Sequence, residues 1–266
     1  EFLHCTFRRF SMSDTSLICF QNIIFKNRNM DLIFSFPGGE SCRGFFIVSL
    51  LVEMAASSGI VVSTGCCYSS SFLLTNGLVK VTQSLKKMKE TFKLMHSKFK
   101  LNLSPWRDNP MLPNGLLYEG VSTEPMFLSG GSAAQSSAIQ CFDALLSIQH
   151  DDETGAFLTR MRDYMPPAHC QLIETLSARP SLRDLILSCS SSDLCQAYNS
   201  CVSAMVDLRS YHLFAVQKYI VGPGNRTMGC PLRGVGTMLN DKGTGGSNLM
   251  GFLKGVCNTT KKALIS

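Results

Sequence analysis

Residues 193–220 read DLCQAYNSCVSAMVDLRSYHLFAVQKYI, and this stretch decides the fold class of the chain. One set of side chains recurs there at intervals of three and four, which is the period of an α-helix with one buried face. The members of this stripe are Cys201, Met205, Leu208, His212, Ala215 and Tyr219. The stretch therefore predicts a long helix, with His212 on the face that points into the core.

Further helical patterns lie on both sides of this stretch, and strand-type alternation is almost absent. They cover residues 41–59, 78–99, 132–146, 156–164, 171–176, 181–187 and 247–264. The predicted class is all-α. Residues 1–29 show no clear period and stay unassigned, whereas residues 30–266 are predicted to form one helical domain. Residues 61–74 are β-branched and serine-rich and predict no helix.

Composition excludes several classes of function. A formal net charge of +6 is small and its basic residues are scattered, which argues against nucleic-acid binding. The 12 cysteines include no CxxC pair and the five histidines are widely spaced, so free thiols are expected and zinc is not. The serine-rich segments contain no GxSxG motif. Residues 45–62 are apolar enough for a membrane span, but Glu53 inside the run favours a buried core helix.

His212 is the first candidate for chemistry. A neutral imidazole in an apolar groove is a good axial ligand for haem iron, but helical periodicity alone favours a core histidine that bonds to a backbone carbonyl. Arg209, one turn earlier, has the planar fork that suits a haem propionate. It would equally suit a salt bridge at the surface.

Two glycine-rich segments are the other candidates. Thr244 lies in the sequence KGTGG (residues 242–246), where small residues allow the backbone to close over a ligand or form a flexible linker. Residues 129–137, SGGSAAQSS, would let a flat cofactor approach the backbone. A helix N-cap with tight packing would require the same composition.

Several segments, in order along the chain, resemble the indoleamine 2,3-dioxygenase family. They are GFFIVSLLVE (44–53), SGGSAAQSS (129–137), QCFD (140–143), MRDYMPPAH (161–169), LRSYH (208–212) and GTGG (243–246). The segments FSFPGGES (34–41) and YEGVS (118–122) are most similar to the second vertebrate paralogue of that family.

The resemblance implies a fold, a cofactor and a reaction. It implies the large helical haem domain of the indoleamine and tryptophan dioxygenases, in a monomeric cytoplasmic protein that binds haem b. Such a protein inserts both atoms of O2 into the indole C2–C3 bond of L-tryptophan and gives N-formylkynurenine, the first step of the kynurenine pathway. An electron donor would keep the iron ferrous, and neither nucleic acid nor a membrane is an expected partner.

The resemblance also implies a role for individual residues. His212 would be the iron ligand, and Phe45 and Ser49 would line the distal pocket. Thr244 would close over the amine or carboxylate of the substrate. The remaining cofactor-binding residues would be Gly131, Ser132, Ala133, Asp143 and Arg209.

Three departures from the family pattern bear on function. Residues 1–29 do not resemble the family's small N-terminal domain, so that domain is expected to be missing. Lys100 stands nearest to the position of a substrate-binding arginine, and residues 61–75 match poorly. Two rival interpretations follow: a haem-binding or signalling protein of the same fold with little turnover, and a haem-free helical interaction module.

Overall fold

A computed structural model describes residues 39–65, 70–98, 117–126, 132–221 and 249–266. Within these ranges the regular structure is helical, which confirms the all-α class. The helices are α1 (Gly39–Gly65), α2 (Ser71–Phe92), α3 (Met95–Lys98), α4 (Ser137–Leu145), α5 (Asp152–Met161), α6 (Pro167–Ser177), α7 (Leu182–Cys189), α8 (Ser192–Val216) and α9 (Leu249–Lys262). Two 3-10 turns, Ala133–Gln135 and Arg162–Tyr164, precede α4 and α6, and α8 continues into a π-helical turn at Gln217–Val221.

Side-chain caps begin four of these helices. Ser136, Asp151, Ser181 and Ser191 each accept a hydrogen bond from a backbone amide in the first turn of α4, α5, α7 and α8. A cap of this kind satisfies an amide that has no partner within the helix and is worth about 1 kcal/mol. Helix starts are therefore encoded locally.

The main core lies where α2 packs between α1 and α8, with α9 on the other side of α8. Its large side chains, all 2% exposed or less, are Leu78, Leu85, Met88, Phe142, Leu146, Tyr198 and Met205. The Tyr198 hydroxyl donates to the Leu146 carbonyl at 2.8 Å, so the buried phenol has a partner. A second, smaller cluster joins α4 to α6 through Cys141, Met165, Ile173 and Leu176.

The prediction of no helix over residues 61–74 is wrong. α1 continues to Gly65, and α2 begins at Ser71, seven residues before the predicted start. The hydroxyls that suggested a loop bond back to helix carbonyls, from Ser63 to Gly59 at 2.6 Å and from Thr75 to Ser71 at 2.9 Å. Serine and threonine can therefore remain in a helix when packing holds it.

Gly59 marks the closest approach between α1 and its neighbours. A Cβ at this position would lie 2.9 Å from both the Phe142 ring and the Ser84 Cβ. Ser84 is fixed there because its hydroxyl donates to the Ala55 carbonyl at 2.7 Å. A side chain larger than hydrogen would push α1 away from α2.

Six cysteines in the described ranges are free thiols, which agrees with the expectation. Burial raises the pKa of Cys141 and of Cys201 to about 12. Cys201 donates to the Leu78 carbonyl at 2.9 Å across the α2–α8 contact. Both thiols behave as small apolar groups in the core.

α1 contains a window, Arg43–Ser63, that is long and apolar enough to cross a membrane. Length and composition also fit the core helix of a globular domain, so the window is weak evidence for a membrane span. Only 22% of the window is buried, yet Glu53 within it bonds to the first turn of α4. That contact ties the middle of α1 to the helical core.

Candidate functional site

His212 lies on α8, one turn before its end, beside the ring of Phe92 at a centroid distance of 5.8 Å. Neither ring nitrogen bonds to a residue that the structure describes. Burial, and then the nearby Arg209 charge, lower the pKa of His212 to about 4. The imidazole is therefore neutral at pH 7, with a nitrogen lone pair available to a metal.

The His212 side chain is half-buried. Desolvation by the atoms around it is the main cause of its lowered pKa. The environment fits an axial iron ligand, and among the described residues no carbonyl partner supports the alternative of a satisfied core histidine.

Arg209 forms a buried ion pair with Asp143 of α4. Its Nη2 lies 2.6 Å from Asp143 Oδ2, with each side chain 9% exposed, and its Nη1 bonds to the hydroxyl of Thr260 on α9. Burial alone would raise the pKa of Asp143, but the Arg209 guanidinium and His150 outweigh it and hold that pKa below its usual value. Asp143 is therefore ionised at neutral pH.

The ion pair braces the segment of α8 that ends in His212. Arg209 is not at the surface, where the sequence had left open a salt bridge. Of the five guanidinium N–H groups, two are used by Asp143 and Thr260, which leaves three for another acceptor such as a propionate. Asp143 thus acts on the site through Arg209.

His150 is a member of this network that the sequence did not indicate. Its Nε2 lies 3.2 Å from the same Asp143 Oδ2, and its side chain is 7% exposed. His150 Nδ1 and Asp143 Oδ1 are buried and have no hydrogen-bond partner among the residues that the structure describes. His150 lies in the irregular segment after α4, which ends at Leu145, so helical periodicity could not have paired it with Asp143.

Phe45 and Ser49 lie one turn apart on α1. The Ser49 hydroxyl donates to the Phe45 carbonyl at 2.8 Å, so its proton is already engaged. Ser49 can then accept a hydrogen bond from a ligand but has no free hydrogen to give. The Phe45 ring stands edge-on to Phe46 at 5.5 Å.

Ser132 and Ala133 begin the 3-10 turn that leads into α4. Ser132 forms a capping box: its hydroxyl accepts from the Ala134 amide at 3.2 Å, and its own amide donates to Gln135 Oε1 at 3.1 Å. The small residues therefore serve as an N-cap, one of the two interpretations the sequence allowed.

The structure brings some of the predicted residues together. Asp143 and Arg209 are in direct contact, and α1, with Phe45 and Ser49, is tied through Glu53 to the residues that follow Ser132 and Ala133. His212 is joined to α2 through Phe92. Three further predicted residues, Lys100, Gly131 and Thr244, lie outside the described residues.

These features define an all-α domain with a half-buried, neutral histidine available to a metal. The sequence profile described as indoleamine 2,3-dioxygenase matches residues 8–263, so the chain belongs to the indoleamine 2,3-dioxygenase family. That confirms the resemblance found in the sequence. The match begins inside the segment of residues 1–29 that had no assignment.

Individual relatives give the same family. The chain is 43% identical to indoleamine 2,3-dioxygenase 2 of Mus musculus over 251 residues, which is 89% of this chain and 62% of that protein. It is 44% identical to indoleamine 2,3-dioxygenase 1 of Rattus norvegicus over 255 residues, 90% of this chain and 63% of that protein. A protein named myoglobin from Haliotis madaka is 34% identical over 264 residues, which is 92% of this chain and 67% of that protein.

Two facts follow from these comparisons. The chain spans a little under two thirds of the length of the curated dioxygenases it matches. The identities of 43% and 44% do not separate the two paralogues.

Proposed function

We propose that this chain is the haem-binding, catalytic part of a dioxygenase that converts L-tryptophan and related indoleamines, with O2, to N-formylkynurenine. The observation behind the proposal is His212, a half-buried imidazole that is neutral at pH 7 and has no hydrogen-bond partner among the described residues, in a chain of the indoleamine 2,3-dioxygenase family. Residues 30–266 would form this domain.

Three sets of residues would hold haem b. His212 would be the iron ligand, and the three uncommitted N–H groups of Arg209 would face a propionate while Asp143 keeps the guanidinium in place. Gly131, Ser132 and Ala133 would lie along the flat face of the cofactor, because small residues permit a close approach. When bound, the haem supplies the iron that activates O2.

The protein would mainly orient the substrate. Phe45 would pack against the indole, and Ser49, whose hydrogen is engaged with the Phe45 carbonyl, would not donate a proton to it. Lys100 would attract the substrate carboxylate as a point charge, without the bidentate geometry of arginine. Thr244 would close over the amine or carboxylate, and excluding water and fixing orientation would be the main contributions to rate.

The setting of this activity is part of the proposal. Free buried thiols fit the reducing cytoplasm, and a net charge of +6 without a basic cluster fits a protein that binds neither nucleic acid nor a membrane. We propose a monomer that requires an electron donor to keep its iron ferrous.

The experiment is an absorbance spectrum of the purified chain reconstituted with haem, with and without L-tryptophan under reducing conditions. We expect a Soret band that shifts with tryptophan. His212→Ala should lose this band and keep its helix content by circular dichroism, whereas His169→Ala is the matched control. His169 is also partly buried, but it bonds to Ser137 at 2.9 Å, so its loss should leave the band in place.

The spectrum also tests the rivals. A His212→Ala protein that keeps its Soret band would refute the ligand assignment, and a wild-type chain without haem would indicate a haem-free helical module.

The second candidate function is haem and O2 binding without turnover. The observation that favours it is the 34% identity to a Haliotis protein named myoglobin. Product analysis separates the two functions, because only the dioxygenase forms N-formylkynurenine when the reduced, haem-loaded chain is mixed with O2 and L-tryptophan.

A further inference from the structure

Glu53 is a partly buried carboxylate in the middle of the apolar helix α1. One of its oxygens, Oε1, accepts a hydrogen bond from the Ser136 hydroxyl, and Oε2 accepts from the Ala138 amide at 3.3 Å. Ser136 and Ala138 belong to the N-terminal turn of α4. Glu53 therefore links α1 to α4 through two residues that are 83 and 85 positions further along the chain.

The N-terminal turn of α4 is capped without this link. Ser136 already caps the helix, because its Oγ accepts the Ile139 amide hydrogen at 3.2 Å. A carboxylate in a buried position costs free energy of desolvation, and an apolar residue of similar volume would pack there at least as well. The two donated hydrogen bonds and the positive end of α4 offset that cost, but they do not explain why a carboxylate is present.

The position of Glu53 suggests the explanation. Phe45, Ser49 and Glu53 are spaced by four residues and so share one face of α1, with about 6 Å along the axis between neighbours. On the other side of the link, Ser136 directly follows the turn Ala133–Gln135, which Ser132 begins. Glu53 thus joins the segment with Phe45 and Ser49 to the segment with Ser132 and Ala133.

We propose that Glu53 is a positioning residue that sets the width of the substrate cleft between these two segments. It touches neither substrate nor haem. The carboxylate fixes α1 against the start of α4, and the indole binds in the space that this distance leaves. The inference rests on the proposed function, since the two segments line a tryptophan site only if that function holds.

The test compares the wild type with Glu53→Ala, Glu53→Gln and a matched control, Glu174→Ala, which removes an exposed carboxylate from α6. Amide hydrogen exchange of the haem-free chain comes first. Glu53→Ala should speed exchange at Ala138, whose amide loses its acceptor, and Glu174→Ala should not. Unchanged exchange at Ala138 in Glu53→Ala would overturn the proposal.

Binding to the haem-loaded chain comes second, with L-tryptophan titrated against the Soret band. We expect the dissociation constant for tryptophan to rise about tenfold in Glu53→Ala, since a small misplacement of a pocket wall has effects of this size or larger. Glu53→Gln keeps one oxygen for Ala138 and an N–H group for Ser136 Oγ, so it should stay within about twofold of wild type. Haem affinity should fall less than tryptophan affinity, because the iron ligand His212 and its neighbour Arg209 lie on α8 and only Ser132 and Ala133 are on the segment that Glu53 holds; general destabilisation would weaken both to a similar extent.

The outcomes distinguish the two proposals. A wild-type chain that binds no haem overturns the proposed function and this inference with it. A wild-type chain that binds haem and tryptophan, together with a Glu53→Ala protein of equal tryptophan affinity, overturns only the positioning role. If Glu53→Ala does not fold, Glu53→Asp replaces it, because its carboxylate is one methylene shorter, leaves the Ser136 cap of α4 in place and should weaken tryptophan binding in the same direction.

Discussion

Removing Asp143 and removing Arg209 from their buried ion pair should lower the free energy of unfolding by different amounts. Asp143→Leu, which is close in volume and has no acceptor, leaves the Arg209 guanidinium, 9% exposed, with only the Thr260 hydroxyl. Arginine cannot lose its proton, so an uncompensated buried charge remains, and we expect a loss of about 3–5 kcal/mol.

Arg209→Met should cost less. Asp143 keeps the His150 Nε2 at 3.2 Å, and a carboxylate without its cation can take up a proton. A loss of about 1–3 kcal/mol is expected, the range for a buried polar group that loses one partner. The double variant should lose less than the sum of the two, because it contains neither an unpaired cation nor a carboxylate.

The sign of the pH dependence is also fixed. The pKa of Asp143 in the folded chain is below its ordinary value of 3.8, so the stabilisation is present above that value and is lost as the pH falls through the folded pKa. The gap between wild type and Arg209→Met should therefore narrow below about pH 4. Urea unfolding monitored by circular dichroism measures the free energy of unfolding of the wild type, the two single variants and the double variant, all without haem. Equal losses for the two single variants, or additive losses in the double variant, would refute the reasoning.

Three further predictions use different parts of the structure. Gly59→Ala should destabilise the chain by about 1–3 kcal/mol, because the added Cβ would meet Phe142 and Ser84. Gly155→Ala should be neutral or stabilising by up to about 1 kcal/mol, because Gly155 lies in a helix with open space around it. Thermal unfolding measures both effects. Burial raises the pKa of Glu53 above 4.5, so the stabilisation from this side chain is full below pH 4.5 and is lost as the pH rises through the folded pKa. Above pH 4.5 the free energy of unfolding of wild type should therefore fall relative to that of Glu53→Gln, as measured by urea titrations at several pH values. The same pH dependence in both proteins would contradict this. Haem retention should be constant from about pH 8 to pH 5 and fall towards pH 4, because His212 stays neutral down to about pH 4; half-loss near its ordinary 6.5 in a pH series of Soret spectra would show that its environment is not as described.

The sequence was sufficient for features that depend on local repetition. The stripe through Met205, Leu208 and His212 predicted α8, and the small residues around Ser132 indicated an N-cap. Both follow from spacing within one segment. The all-α class and the family followed from the same local patterns and motifs.

Features that depend on distant residues were not predictable in the same way. Asp143 and Arg209 are 66 residues apart, and only packing of α4 against α8 brings them together. His150 joins them from an irregular segment after α4. The helix over residues 61–65 was missed because hydroxyl side chains favour loops in isolation, and their bonds to helix carbonyls appear only in the folded chain. Glu53 had a signal, a single carboxylate in an apolar run, but the run alone does not show what it binds.

The buried thiols of Cys141 and Cys201 can be used to measure local opening of the fold. Alkylating reagents react with thiolates, and at neutral pH a group with a pKa of about 12 has almost none. Cys141 and Cys201 should therefore react with iodoacetamide only in molecules that have transiently opened, while the exposed Cys189 reacts at once and calibrates the reagent. Cys201 lies in the main core and Cys141 in the smaller α4–α6 cluster. Peptide mass spectrometry of labelled protein would thus yield separate opening rates for each cluster, without any introduced probe.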